Sequence, residues 1–130
     1  MSLRPKIEML FSEVIENLEF NEKVFAEFFS PDYIQHVDGK TLNYEALLKH
    51  MQVQKEALKE ARVTLESFIE QGDKCSTIHR VDAKLKEGRE IQMKVIAHFT
   101  FSDGKIIECD ELTHLIQGDD QDRDLGSRTD

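Results

Sequence analysis

The stretch "FTFSDGKIIECDELTHLI", residues 99–116, decides how this chain folds. Apolar residues alternate with polar ones on both sides of Ser102-Asp103-Gly104, the pattern of a β-hairpin. Successive strand residues point to opposite faces, so the adjacent acids Asp110 and Glu111 cannot both face water. The register settles which of them turns inward. A two-residue Asp-Gly turn would set Phe99 opposite Glu108. A three-residue Ser-Asp-Gly loop, with Gly104 left-handed, sets Phe101 against Lys105, Phe99 against Ile107 and Val95 against Glu111. The longer loop separates apolar from polar side chains more cleanly and is the expected register. One face then carries Val95, Ala97 and Phe99 beside Ile107, Cys109, Glu111 and Thr113. The other carries Ile96 and His98 beside Ile106, Glu108, Asp110 and Leu112. Glu111 is predicted to point in, Glu108 and Asp110 out.

The same loop length at Lys86-Glu87-Gly88 sets Ala83 against Ile91, Val81 against Met93 and His79 against Val95. His79 and Glu111 then flank Val95 on one face, about 10 Å apart, with room for a water or a ligand atom between them. A carboxyl among Val95, Cys109 and Thr113 pays desolvation when ionised, so its pKa is expected to rise. Such a group acts as a general acid or base near neutral pH, or else hydrogen-bonds a tyrosine or a helix and serves the fold. His36 ends a short β-like run, "YIQHV" at 33–37, beside the turn Asp38-Gly39. It suits proton transfer, or a hydrogen bond within its own turn.

Upstream the period is helical. Ile7, Leu10, Phe11, Val14, Ile15 and Leu18 mark one amphipathic helix. Asn21 caps a second, with Val24, Phe25, Phe28 and Phe29 on its apolar face. Asn43 caps a third, carrying Leu47, Leu48, Met51 and Leu58. After Ala61 the period becomes that of strands, near 62–70, 74–85, 90–101 and 105–116, joined by hairpin connections. Helices followed by a meander give an α+β arrangement. The expected division is a domain over 1–117 and a polar tail over 118–130, either mobile or ordered by a partner chain.

A formal net charge of −9 argues against nucleic acid and anionic lipid as partners, and no apolar run reaches membrane-spanning length. Cys75 and Cys109 match no metal-binding spacing, and are expected inward on non-adjacent strands, beyond disulfide reach. The cysteine usage and the lack of a signal-like segment predict a cytoplasmic protein. No metal ligand set is expected.

The order of these parts, with "SPDYIQHVDG" at 30–39 and "FTFSDGKIIE" at 99–108, resembles the SnoaL-like branch of the nuclear transport factor 2-like superfamily. That branch stands beside polyketide cyclases and ketosteroid isomerases. The resemblance implies a cone-shaped fold, three N-terminal helices on a curved, mainly antiparallel sheet enclosing a pocket, and a homodimer through the outer sheet face. It implies cofactor-free isomerase, cyclase or dehydratase chemistry on a hydrophobic carbonyl compound. His36 falls where ketosteroid isomerases carry their general base. The catalytic pair it implies is His36 and Glu111, with Tyr33, His79, Val95, Phe99 and Cys109 contacting substrate. The competing expectation is a non-catalytic ligand-binding or dimerisation module of the same fold.

Overall fold

A computed structural model describes residues 2–118 of the chain. Pro5 starts the first helix, where its missing N–H costs nothing. Helix α1, Arg4–Leu10, runs on as a wider π-helical segment, Phe11–Glu16. Helix α2, Glu22–Phe28, and helix α3, Tyr44–Ala57, follow. Both expected caps form. Asn21 Oδ1 accepts from the Lys23 N–H at 3.0 Å, and Asn43 Oδ1 accepts from the Ala46 N–H at 2.9 Å. Among the described residues, no helix is long and apolar enough to cross a membrane.

Six strands form one mixed sheet: β1 Phe29–Val37, β2 Lys40–Asn43, β3 Leu58–Gln71, β4 Lys74–Leu85, β5 Glu90–Ser102 and β6 Lys105–Gln117. Their order is β2-β1-β6-β5-β4-β3. The expected meander is β3 to β6, and β1 joins its edge in parallel with β6. Phe29, read from the sequence as helical, instead begins β1 and pairs with Ile106. Pro31 lies in the irregular gap before pairing resumes at Ile34, where no ladder N–H is required. Strand β2 escaped the sequence reading because four residues show too little alternation to register. It closes on β1 through Asp38-Gly39, both left-handed at φ 52° and 85°, the backbone that a two-residue hairpin turn demands.

The β5–β6 connection corrects the expected register. The turn is two residues, Asp103-Gly104, left-handed at φ 52° and 81°, and it sets Ser102 against Lys105 and Phe101 against Ile106. An irregularity after Phe101 then takes up one residue, Ile107, so that Thr100 faces Glu108 and Phe99 faces Cys109. The tight turn matches the right-handed twist of the strands, and the bulge restores the apolar parity that a two-residue turn alone would break. Ile106, expected outside, is therefore buried at 1% exposure. Glu111 pairs with Ala97 rather than with Val95. At the other hairpin, the expected pairs Ala83–Ile91, Val81–Met93 and His79–Val95 all form.

The helices cover one face of the sheet. Ile7, Leu10, Phe11 and Val14 from the first helical stretch meet Phe25, Phe29 and Tyr33, and Val95, Ala97 and Phe99 from the sheet. Lys55 reaches across from α3 and donates to the main-chain oxygens of Val14 and Asn17, at the end of the π-helical segment. A cation there satisfies carbonyls that a helix C-terminus leaves unpaired. The expected polar tail falls, beyond Gly118, outside the described residues.

Candidate functional site

The space between helices and sheet is not completely filled. A cavity of about 120 Å³ remains, lined by Leu10, Phe11, Val14 and Ile15 from the first helical stretch and by Leu47, His50, Met51 and Gln54 from α3. The sheet contributes Tyr33, Gln35, His79, Val95, Phe99, Cys109, Glu111 and Thr113, among others. Six of the seven residues singled out from the sequence therefore meet at one cavity: Tyr33, His79, Val95, Phe99, Cys109 and Glu111.

His36 does not. Tyr33, Gln35 and Val37 are buried while His36 lies between them, so the alternation of β1 sends its ring to the outer face. There its Nε2 stands 3.2 Å from Glu108 and its Nδ1 3.3 Å from Thr41. The expected proton exchange between His36 and Glu111 has no path through the cavity. Strand parity across "YIQHV" was the available signal, since Tyr33 and Val37 share one side and His36 the other.

Glu111 is held by a chain of hydrogen bonds. The Tyr33 hydroxyl donates to Gln35 Oε1 at 2.8 Å, and Gln35 Nε2 donates to Glu111 Oε1 at 2.8 Å. Tyr33 and Gln35 are 2% and 5% exposed. Glu111 itself keeps partial access to solvent but is ringed by protein. Burial above all, and then the nearby charges of Asp38 and Asp110, push its carboxyl up to about 7. Burial, and then Cys109 and Glu111, raise the Tyr33 phenol well above its ordinary range, so it remains a donor.

Asp38 fastens this end of the sheet. Its N–H donates to the Glu111 carbonyl at 3.2 Å, and its carboxylate accepts both the N–H (2.8 Å) and the hydroxyl of Thr113. With its proton committed to Asp38, the Thr113 hydroxyl offers the cavity an acceptor. His79 lies diagonally across the floor: Glu111 faces Ala97, while His79 faces Val95, one side-chain row further on. Two strand spacings and one row separate their Cα atoms by about 12 Å, rather than the 10 Å of the simpler register. His79 Nδ1 shares a 2.8 Å hydrogen bond with Thr77 Oγ1, and its ring lies against Phe11 with centroids 4.5 Å apart. Burial lowers its pKa to about 4, so the imidazole is neutral at pH 7.

His50, Gln54 and Gln35 were not singled out from the sequence. His50 is 3% exposed. It follows Leu47 by three residues and precedes Gln54 by four, so helical spacing puts all three on the face that Met51 also borders. Polar residues inside an apolar helical stripe were the signal that could have found them. Among the described residues, no three His, Cys, Asp or Glu side chains gather into a metal-binding group. Cys75 and Cys109 are both buried thiols on β4 and β6, separated by Phe99 of β5.

In summed character, the cavity is an apolar chamber with one carboxyl poised near neutrality, the imidazoles of His50 and His79, the amides of Gln35 and Gln54, and the hydroxyls of Tyr33 and Thr113. Comparison with known proteins bears on the family and the fold. The SnoaL-like domain profile matches residues 14–109. An uncharacterised protein of Schizosaccharomyces pombe is 36% identical over 100 residues, 77% of each chain. IdmH from Streptomyces antibioticus, described as a proposed polyketide cyclase, superposes with a TM-score of 0.74 at 16% identity over 98% of both chains. A proposed SnoaL-like polyketide cyclase from Jannaschia gives 0.71 at 18% identity, covering 85% of this chain and 83% of its own.

Proposed function

This chain belongs to the SnoaL-like domain family, and we propose that it binds a compact, apolar carbonyl compound and moves protons on it, with Glu111 as acid and base. One observation carries the reading: a carboxyl raised to about 7 stands in an apolar cavity, its orientation set by Gln35. A group so poised both gives and takes a proton near neutral pH, which enolisation beside a carbonyl requires. In the acid form it donates to the carbonyl oxygen; as carboxylate it takes a proton from the adjacent carbon. Neutral His79 and the Thr113 hydroxyl add polarity without charge, which suits an uncharged ligand. Likeness to proteins described as polyketide cyclases favours isomerisation or ring closure as the reaction class.

Size limits the ligand. About 120 Å³ is well below the roughly 300–1,000 Å³ of drug-sized sites. It fits a few waters or a small molecule, and a multi-ring substrate would need the helices to part. That volume also supports a second reading, a non-catalytic module holding a small ligand. The two separate in one experiment. A panel of small cyclic ketones is incubated in deuterium oxide with the protein and with Glu111→Gln, and loss of the α-proton signal is followed by NMR. Enzyme-dependent exchange that vanishes in the variant supports proton transfer. Ketone binding without exchange supports the module.

The outer sheet face completes the proposal as a homodimer surface. Ile96 and Leu112 are paired there across β5 and β6, 53% and 66% exposed. Exposed apolar pairs on a sheet face call for cover.

A further inference from the structure

We infer that Tyr33 and Gln35 act as a positioning relay that dictates which oxygen of Glu111 carries the proton. The inference deepens the acid/base reading of Glu111 and rests on it for its functional meaning, although its test does not.

An amide is ambiguous, because it can offer a neighbour either N–H or C=O. Here the ambiguity is removed by Tyr33, whose hydroxyl is spent on Gln35 Oε1 and so turns the amide N–H toward Glu111 Oε1. The opposite polarity would turn the Gln35 oxygen toward Glu111 and release the phenol proton. That proton's other neighbour is the Cys109 thiol, and sulfur is a weak acceptor. The relay therefore runs from Tyr33 through Gln35 to Glu111. An oxygen that already accepts an N–H is the poorer place for a proton, so the acid form carries its hydrogen on Oε2. Gln35 engages Oε1, which makes Oε2 the oxygen it leaves to a ligand. The proton is thereby delivered at one point of the cavity rather than at two.

The relay also stabilises the carboxylate, against burial and against Asp38 and Asp110, which disfavour it. Among the described residues, the remaining titratable groups lining the cavity with this carboxyl are Tyr33 on β1, Cys109 on β6, His79 on β4 and His50 on α3. None of them lies between Gln35 and Glu111.

Tyr33→Phe keeps the ring and frees the amide to turn. A turned amide offers its oxygen to the protonated carboxyl, so the acid form gains. The test follows the Glu111 side-chain carboxyl by ¹³C NMR against pH in the substrate-free protein, with Glu111→Gln assigning the resonance. Tyr33→Phe is expected to raise the midpoint by about one pH unit, tenfold in proton affinity. Gln35→Met, which removes the donor outright, is expected to raise it as well and replaces Tyr33→Phe if that variant fails to fold. A lowered melting temperature with an unmoved midpoint would reduce Tyr33 and Gln35 to packing residues and overturn the relay. Because no substrate is present, absence of ketone exchange would sink the catalytic reading and leave this result standing.

Discussion

Glu111→Gln should make the protein more stable at pH 8, and equally stable at pH 4. Burial raises the carboxyl to about 7 in the folded chain, against an ordinary value of 4.5. Between those values the folded state holds a proton that the unfolded state has lost, so stability falls as pH rises through the window. Below about 4.5 both states are protonated and the difference vanishes. Above 7 the full cost is present. A shift from 4.5 to about 7, at about 1.36 kcal/mol per pH unit, amounts to about 3 kcal/mol as an upper bound, since Glu111 keeps some solvent access. The amide is neutral throughout and its oxygen still accepts from Gln35, so the variant escapes this cost without losing the contact. For a chain of this size that is a melting temperature higher by roughly 10 °C at pH 8. Urea unfolding at half-unit pH steps measures it directly, provided both proteins share one m-value. Wild type and variant running parallel from pH 4 to 8 would show that Glu111 is an ordinary solvated acid. The proton-transfer proposal would fall with it.

His79 gives the opposite slope. Its folded pKa of about 4 lies below the ordinary 6.5, so stability is complete above 6.5 and drains away as pH falls toward 4; His79→Gln should flatten that stretch of the urea series. Ala97, 1% exposed and facing Thr77 and Glu111, should not tolerate Asp, at a cost of about 3 kcal/mol or more, while Lys94→Asp on the outer face should change the thermal melt by less than about 1 kcal/mol. Sedimentation should show a dimer at micromolar concentration that Ile96→Asp together with Leu112→Asp converts to monomer. A wild-type monomer would refute the interface.

The helical caps, the strand meander and the inward direction of Glu111 were all legible in the sequence. Each follows from local chemistry: a side-chain oxygen before a helix, a period of two along a strand, a carboxyl sharing parity with Cys109 and Thr113. The family resemblance rested on the same local features. The place it suggested for His36 is not the one the alternation of β1 gives, which turns Tyr33, Gln35 and Val37 inward and His36 to the outer face.

Register was a different matter. A two-residue turn plus a bulge at Ile107, and a three-residue loop without one, deliver Cys109 and Glu111 to the same face. Parity alone therefore cannot distinguish them, and only strand pairing decides that Glu111 stands against Ala97. Nor could the sequence show that Gln35, remote by 76 residues, would be Glu111's partner. That contact exists because β1 docks in parallel on β6, with Gln35 beside Cys109. Local sequence thus determined which residues turn inward, since side-chain direction is a property of each strand by itself. Which of those inward groups touch was decided by the packing of strands and helices far apart in the chain.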